Sequence, residues 1–135
     1  MDLIFGDVGL VWMLRRVVGT GLLYHLYVNN HTPGVGTTLA SLTEATYSGY
    51  APILVAAANW TVSAVVGHVG ELEAPAIVFR NTSTAARSAY GYFITDQTGT
   101  QYVAAARFDE APVRVEIGDF FNVDPILGSY SGLDA

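Results

Sequence analysis

The sequence predicts an all-β protein, an antiparallel β-sandwich of jelly-roll-like order with about eight strands and a short N-terminal helix. Short runs rich in Val, Ile, Tyr and Phe recur along the chain, separated by Gly, Pro, Asn, Asp and Ser. One early segment alone carries apolar residues at helical spacing. At 135 residues and 51% hydrophobic composition, the chain is sized for a single core. It shows no repeat, low-complexity tract or linker, so residues 1–135 read as one domain with apolar tails at both ends.

The helix is expected over Asp7–Gly19, with Asp7 as N-cap, Gly19 as the stop and Arg15-Arg16 in the last turn, where cations complement the helix dipole. Val11, Leu14 and Val18 form its apolar stripe, and Leu10, Trp12, Met13 and Val17 widen it until a second surface is needed to cover it. The β-branched residues also permit a buried strand over Val8–Leu14. Leu22–Val28 is a strand bounded by Gly21 and the turn cluster Asn29–Gly34. Thr38–Glu44 fits one helical turn, and Ala51–Val55 fits a strand that Pro52 confines to an edge or a start. Further strands are expected at Trp60–Val66, Ala76–Arg80, Tyr90–Thr95, Gln101–Phe108, Val113–Ile117 and Phe120–Val123. Thr95–Thr100 reads as a hairpin turn, Ile117–Phe120 as a tight two-residue hairpin, and Glu71–Pro75 as a loop. In the Tyr90 strand, Tyr90, Tyr92 and Ile94 share one face while Gly91 and Phe93 share the other, which predicts cover on both sides.

Composition narrows the function. Cysteine is absent, which excludes disulfides, Cys-ligated zinc and thiol nucleophiles. All six basic residues are arginines, so lysine Schiff-base and P-loop chemistry are excluded too, and a net charge of −6 argues against nucleic acid as partner. Charged residues make up 13%, against roughly 25% in a typical soluble chain. A lysine-free chain with eight tyrosines and so few charges suits a surface largely covered by neighbours, because interface cores lose Lys, Glu and Asp and gain aromatics and Arg. The longest apolar run falls well short of the roughly 20 residues of a membrane-spanning helix, so no membrane partner is expected. The acidic start, Asp2 and Asp7 ahead of Arg15-Arg16, reverses the charge order of a secretory signal.

Motifs with reaction chemistry do not emerge. His25, His31 and His68 are scattered without a second ligand at metal-binding spacing. Glu71 and Glu73, Asp109-Glu110, and Asp119 and Asp124 fall in expected turns and loops, where carboxylates solvate or cap, and Asp96 and Asp119 read as turn residues. Serines lack the Gly-x-Ser-x-Gly elbow, and the glycines form neither a dinucleotide fingerprint nor a Walker loop. The triplets at Asn30, Asn59 and Asn81 are read as chance matches to a glycosylation pattern. No catalytic residue, cofactor or metal is therefore expected.

Leu26-Tyr27-Val28-Asn29-Asn30-His31-Thr32-Pro33, then Thr43–Ala51 and Trp60, form a pattern that resembles small virion structural proteins of tailed bacteriophages. Tyr90–Asp96, the closing Gly118–Pro125 and the short N-terminal helix fit the same likeness, which covers most of the chain. The resemblance implies a role on the particle, as a capsid decoration or cement protein or a minor head or tail component, without catalytic residues. The expected partners are the major capsid protein or other virion subunits, together with copies of itself as a homo-oligomer, most simply a trimer. The expected location is the capsid surface after assembly in the host cytoplasm. Assembly contacts are expected at the two apolar ends, Leu3, Ile4 and Phe5 before the helix and Ile126, Leu127, Tyr130 and Leu133 beyond the last strand. The competing readings are a carbohydrate- or receptor-binding module that uses Tyr and Trp as stacking platforms, and a tail-tube or head–tail joining subunit.

Overall fold

Glycine closes the N-terminal helix as expected, but Gly70 and Gly128 lie inside strands. The computed structural model describes residues 7–65, 69–73, 75–116, 120–123 and 126–131. The described chain is mostly β-strand in antiparallel sheets, preceded by one helix, α1 (Asp7–Val18). Gly19 ends α1 at φ 44°, and its N–H bonds the Arg15 carbonyl at 3.2 Å. Glycine adopts this left-handed stop without a Cβ penalty.

The strands are β1 (Leu22–Tyr27), β2 (Ile53–Val55), β3 (Thr61–Val65), β4 (Val69–Glu73), β5 (Ile77–Arg80), β6 (Arg87–Ala89), β7 (Gly91–Asp96), β8 (Tyr102–Arg107), β9 (Val113–Val115), β10 (Phe120–Val123) and β11 (Ile126–Ser131). Side chains are described in seven of these eleven: β1, β2 and β5 to β9. The main sheet has the order β2-β1-β7-β8; β11-β4-β3, β10-β5 and β6-β9 form the others. The expected edge position of β2, behind Pro52, is what the pairing shows.

Within the main sheet β1 pairs with β7 along its whole length, from Leu22 opposite Asp96 to Tyr27 opposite Gly91. On its other side β1 meets β2 over Leu22–Tyr24, then the segment 43–45, where Val28 N–H bonds Thr43 O and Ala45 N–H bonds Leu26 O. Both faces of the pair are covered, as the mixed face pattern predicts. Leu22, Tyr24, Leu26 and Ile94 pack with Ile77 and Phe79 of β5, Ala89 of β6, Trp60, and Leu14 and Val18 of α1. Tyr27 and Phe93 pack with Leu42 on the opposite face. Tyr90 stands just before β7 and joins the Phe93 side, not the Tyr92 side that strict alternation predicts.

Three strands depart from expectation. The Glu71–Glu73 stretch is not a loop: it lies in β4, the centre of a sheet, paired with β3 and β11. Acids at alternate positions are compatible with a strand, and pairing along both edges decided the matter against weak local propensity. Ile126, Leu127 and Tyr130, expected in a tail, belong to β11, whose register against β4 shifts between Leu127 and Ser129. Arg87–Ala89 is a third unforeseen strand, β6. The proposed hairpin across Ile117–Phe120 is also corrected, because its two arms pair elsewhere, β9 with β6 and β10 with β5; residues 117–119 lie outside the described residues. Leu3, Ile4, Phe5, Leu133 and His68 likewise lie outside them.

Gly91, buried at the head of β7, permits the closest approach in the main sheet. A Cβ there would fall 2.6 Å from the Tyr27 Oη and Cε1 atoms and would collide with the Ala106 carbonyl. Backbone cannot yield as a side-chain tip can, so Gly91→Ala is expected to lower stability by about 2–3 kcal/mol in urea unfolding. Gly36→Ala, where a Cβ meets nothing within 4 Å, should stay within about 0.5 kcal/mol of the parent.

Candidate functional site

The most concentrated polar chemistry among the described residues is a row centred on His25. Its position in β1 places the ring against Phe93, directly opposite in β7, stacked at 4.4 Å and 6°. Nε2 lies 2.8 Å from Thr95 Oγ1 and Nδ1 lies 2.7 Å from Glu44 Oε1. Glu44 reaches the row because the 43–45 segment bonds to β1, with Glu44 bridged to Tyr27. Tyr50 Oη donates to the same Glu44 oxygen at 2.7 Å and accepts from Leu26 N–H at 3.1 Å. Thr95, His25 and Glu44 stand in the hydroxyl–imidazole–carboxylate order of a nucleophilic triad, but the Thr95 hydroxyl gives its one proton to the Asp96 carbonyl at 2.9 Å, so Oγ1 accepts from Nε2–H.

Burial decides what that order can do. Thr95 is 0% exposed and His25 4%, and the Thr95 hydroxyl also lies 2.9 Å from the Asp96 carbonyl. A nucleophile must reach a substrate carbonyl, and Thr95 stands inside a sheet covered on both faces. As placed, the row supplies partners for buried polar groups and ties β1, β7 and the 43–45 segment together. In the sequence His25 stands without a second ligand at metal-binding spacing and Glu44 falls in an expected helical turn; nothing in their spacing signals a contact that tertiary pairing creates.

Other sequence-flagged polar residues also serve local structure. Asp96 holds the β7–β8 turn: Oδ1 accepts from the Thr100 and Gln101 N–H groups, and Oδ2 from the Thr98 hydroxyl. The Thr98 bond, followed by the Gln101 N–H, keeps this carboxyl below the usual range. His31 Nε2 meets Thr37 Oγ1 at 3.1 Å, and Arg107 reaches Asn30 and the His31 carbonyl while lying over the Tyr90 ring. Asn81, 0% exposed, donates to the Ala85 and Val115 carbonyls, so its triplet is structural. Among the described residues no three His, Asp or Glu side chains gather as a metal site, and no helix is long and apolar enough to cross a membrane.

Two surface features stand apart from these networks. The outer side of α1 exposes Val8 (86%), Trp12 (62%) and Val17 (46%), with the Arg16 guanidinium 5.6 Å from the Trp12 ring. Leu54 of β2, Val78 of β5 and Val103 of β8 are exposed as well. A shallow cavity of about 390 Å³ is lined by Val28, Thr46, Tyr47, Ala86, Arg87 and Ser88. Tyr47 carries a buried hydroxyl without a hydrogen-bond partner among the described residues. Of the expected assembly residues, Ile126, Leu127 and Tyr130 are placed together on β11, an edge of its sheet. The α1 face was legible beforehand as a stripe too wide for one core.

No family model, curated protein or solved structure matches the chain.

The tyrosines give this region its chemistry with pH. Burial pushes the Tyr24 and Tyr50 phenols well above the ordinary range, reinforced by Tyr92 for the first and by the Glu44 bond for the second. Unfolded tyrosine ionises near about pH 10, so above that the unfolded chain releases protons the folded chain keeps. The stability tied to these groups is therefore present below about pH 10 and lost as pH rises toward the folded-state values. Urea unfolding should show that fall, with a shallower slope in Tyr24→Phe and in Tyr50→Phe. At neutral pH the two should differ: Tyr24, whose buried hydroxyl has no partner among the described residues, should lose nothing as Phe, whereas Tyr50→Phe should cost about 1–2 kcal/mol by stranding Leu26 N–H and a bond to Glu44.

Proposed function

We propose that this chain is a non-enzymatic structural subunit of a virus particle, a capsid decoration or cement protein of the tailed-bacteriophage kind. The observation that carries the reading is the set of large apolar side chains left exposed on α1, β2, β5 and β8 of a chain with only 13% charged residues. Such a surface suits a protein whose neighbours cover it. The His25 row supports the same reading, since its groups serve to hold strands together. The sheets would serve as a jelly-roll-like sandwich, a reading supported by β5 and β6 packing on one face of the main sheet. A subunit of this type stabilises a shell by burying area across junctions, where a standard contact covers about 1,600 Å². The partners in this reading are the major capsid protein and further copies of the chain, as a trimer on the capsid surface, with the two apolar ends reaching the shell.

A second reading, a carbohydrate- or receptor-binding module of a virion, is favoured by the cavity at Tyr47 and Arg87, which offers a ring, a guanidinium and two hydroxyls. The first is tested by co-sedimentation of purified protein with capsid shells of the encoding phage. Binding that persists to about 0.5 M salt, where exposed charge pairs are screened, is the expected result. Removing residues 1–5 should weaken it at unchanged thermal stability. Protein that remains in the supernatant at every salt concentration would overturn the reading, and glycan binding lost on Tyr47→Ala would then favour the second.

A further inference from the structure

We propose that copies of this chain associate by seating Arg15 and Arg16 of α1 in one copy on Asp109 and Glu110 of another. The inference begins with where each described charge goes. Arg87 donates to Ser83, Arg107 to Asn30 and the His31 carbonyl, and Arg114 pairs with Glu116 at 2.6 Å; Arg80 is engaged too. Glu44 holds His25 and Tyr50, and Asp96 holds its turn. Among the described side chains, four charges then remain without a hydrogen bond or ion pair: Arg15 and Arg16, and Asp109 and Glu110. They form two adjacent pairs of opposite sign, and all four residues are exposed.

Arg16 lies over Trp12, one helical turn from Val8, and the acidic pair is held in a turn closed by Ala111 N–H to the Phe108 carbonyl, ahead of Pro112. Between chains of net charge −6 the overall field opposes association, and a contact that matches the unpaired cations to the unpaired acids among the described residues offsets it. The α1 face does this while covering Trp12, whose ring is otherwise 62% exposed. One pair of each sign among the described residues of each copy allows the contact once per junction around a closed ring, as in the trimer of the reading above. The proposal deepens the reading as an assembly subunit, but its test involves no shell, so failure here and failure of shell binding are separate results.

The test is light scattering and sedimentation of the full chain over a concentration series, with tryptophan emission as a second readout. The parent should associate, with Trp12 emission shifting to the blue as it does. Arg15→Glu with Arg16→Glu should weaken association by about tenfold or more, as should Asp109→Arg with Glu110→Arg. The second variant is decisive because it makes the chain less acidic by four charges, and relief of general repulsion alone would strengthen association. The chain carrying all four substitutions restores every contact with signs exchanged and should recover association to within about threefold of the parent. A parent that stays monomeric, a double variant that associates like the parent, or a fourfold variant that does not recover would each overturn the proposal. Far-UV circular dichroism checks that these exposed changes leave the fold intact.

Discussion

The β1–β7 pair, buried on both faces, is the constraint around which the rest of the structure is arranged. A strand with one wet face can leave polar side chains to water, but β1 cannot: Tyr24 and Leu26 are at 0% exposure on one side, and His25 and Tyr27 at 4% and 0% on the other. Polar groups there must find partners inside the protein or cost the full desolvation penalty. His25, Thr95, Glu44 and Tyr50 answer by bonding to one another, which fixes the 43–45 segment along β1. The Tyr24 hydroxyl is the exception, with its ring between Trp60 and Tyr92 and no hydrogen-bond partner among the described residues.

The same economy extends outward. Gly91 lets Tyr27 cross the end of β7, and the Tyr27 hydroxyl then holds the His31 carbonyl, which Arg107 of β8 also grips. Asn81 does comparable work at the other end, joining the residues after β5 to β9 through the Val115 carbonyl. Side chains that look functional in isolation, a histidine, a buried asparagine and an arginine over a ring, are thereby committed to holding loops and strand ends. Among the described residues, what remains uncommitted lies at the surface, in the outer side of α1 and in a few unpaired charges.

Part of this was legible in the sequence. The α1 boundaries follow from Gly19 and apolar spacing, the edge position of β2 from Pro52, the β7–β8 hairpin from Asp96 and Gly99, and the two-sided cover of β7 from Tyr92, Phe93 and Ile94. These are local signals, set by φ preferences and side-chain period, which the chain carries wherever it folds. The candidate site was hardly legible, because His25, Glu44 and Thr95 lie 19 and 51 residues apart and meet only through strand pairing.

The sequence by itself determined the β-rich class, the N-terminal helix, the β7–β8 turn and a composition poor in charge. Tertiary structure decided that Val69–Glu73 and Ile126–Ser131 are strands, that β9 and β10 take different partners, and that a histidine, a glutamate and a threonine form one buried row. The physical reason is that a strand's hydrogen bonds are made to another part of the chain. Local propensity limits which segments can extend, but only the folded arrangement chooses which edges meet and which polar groups must then satisfy each other.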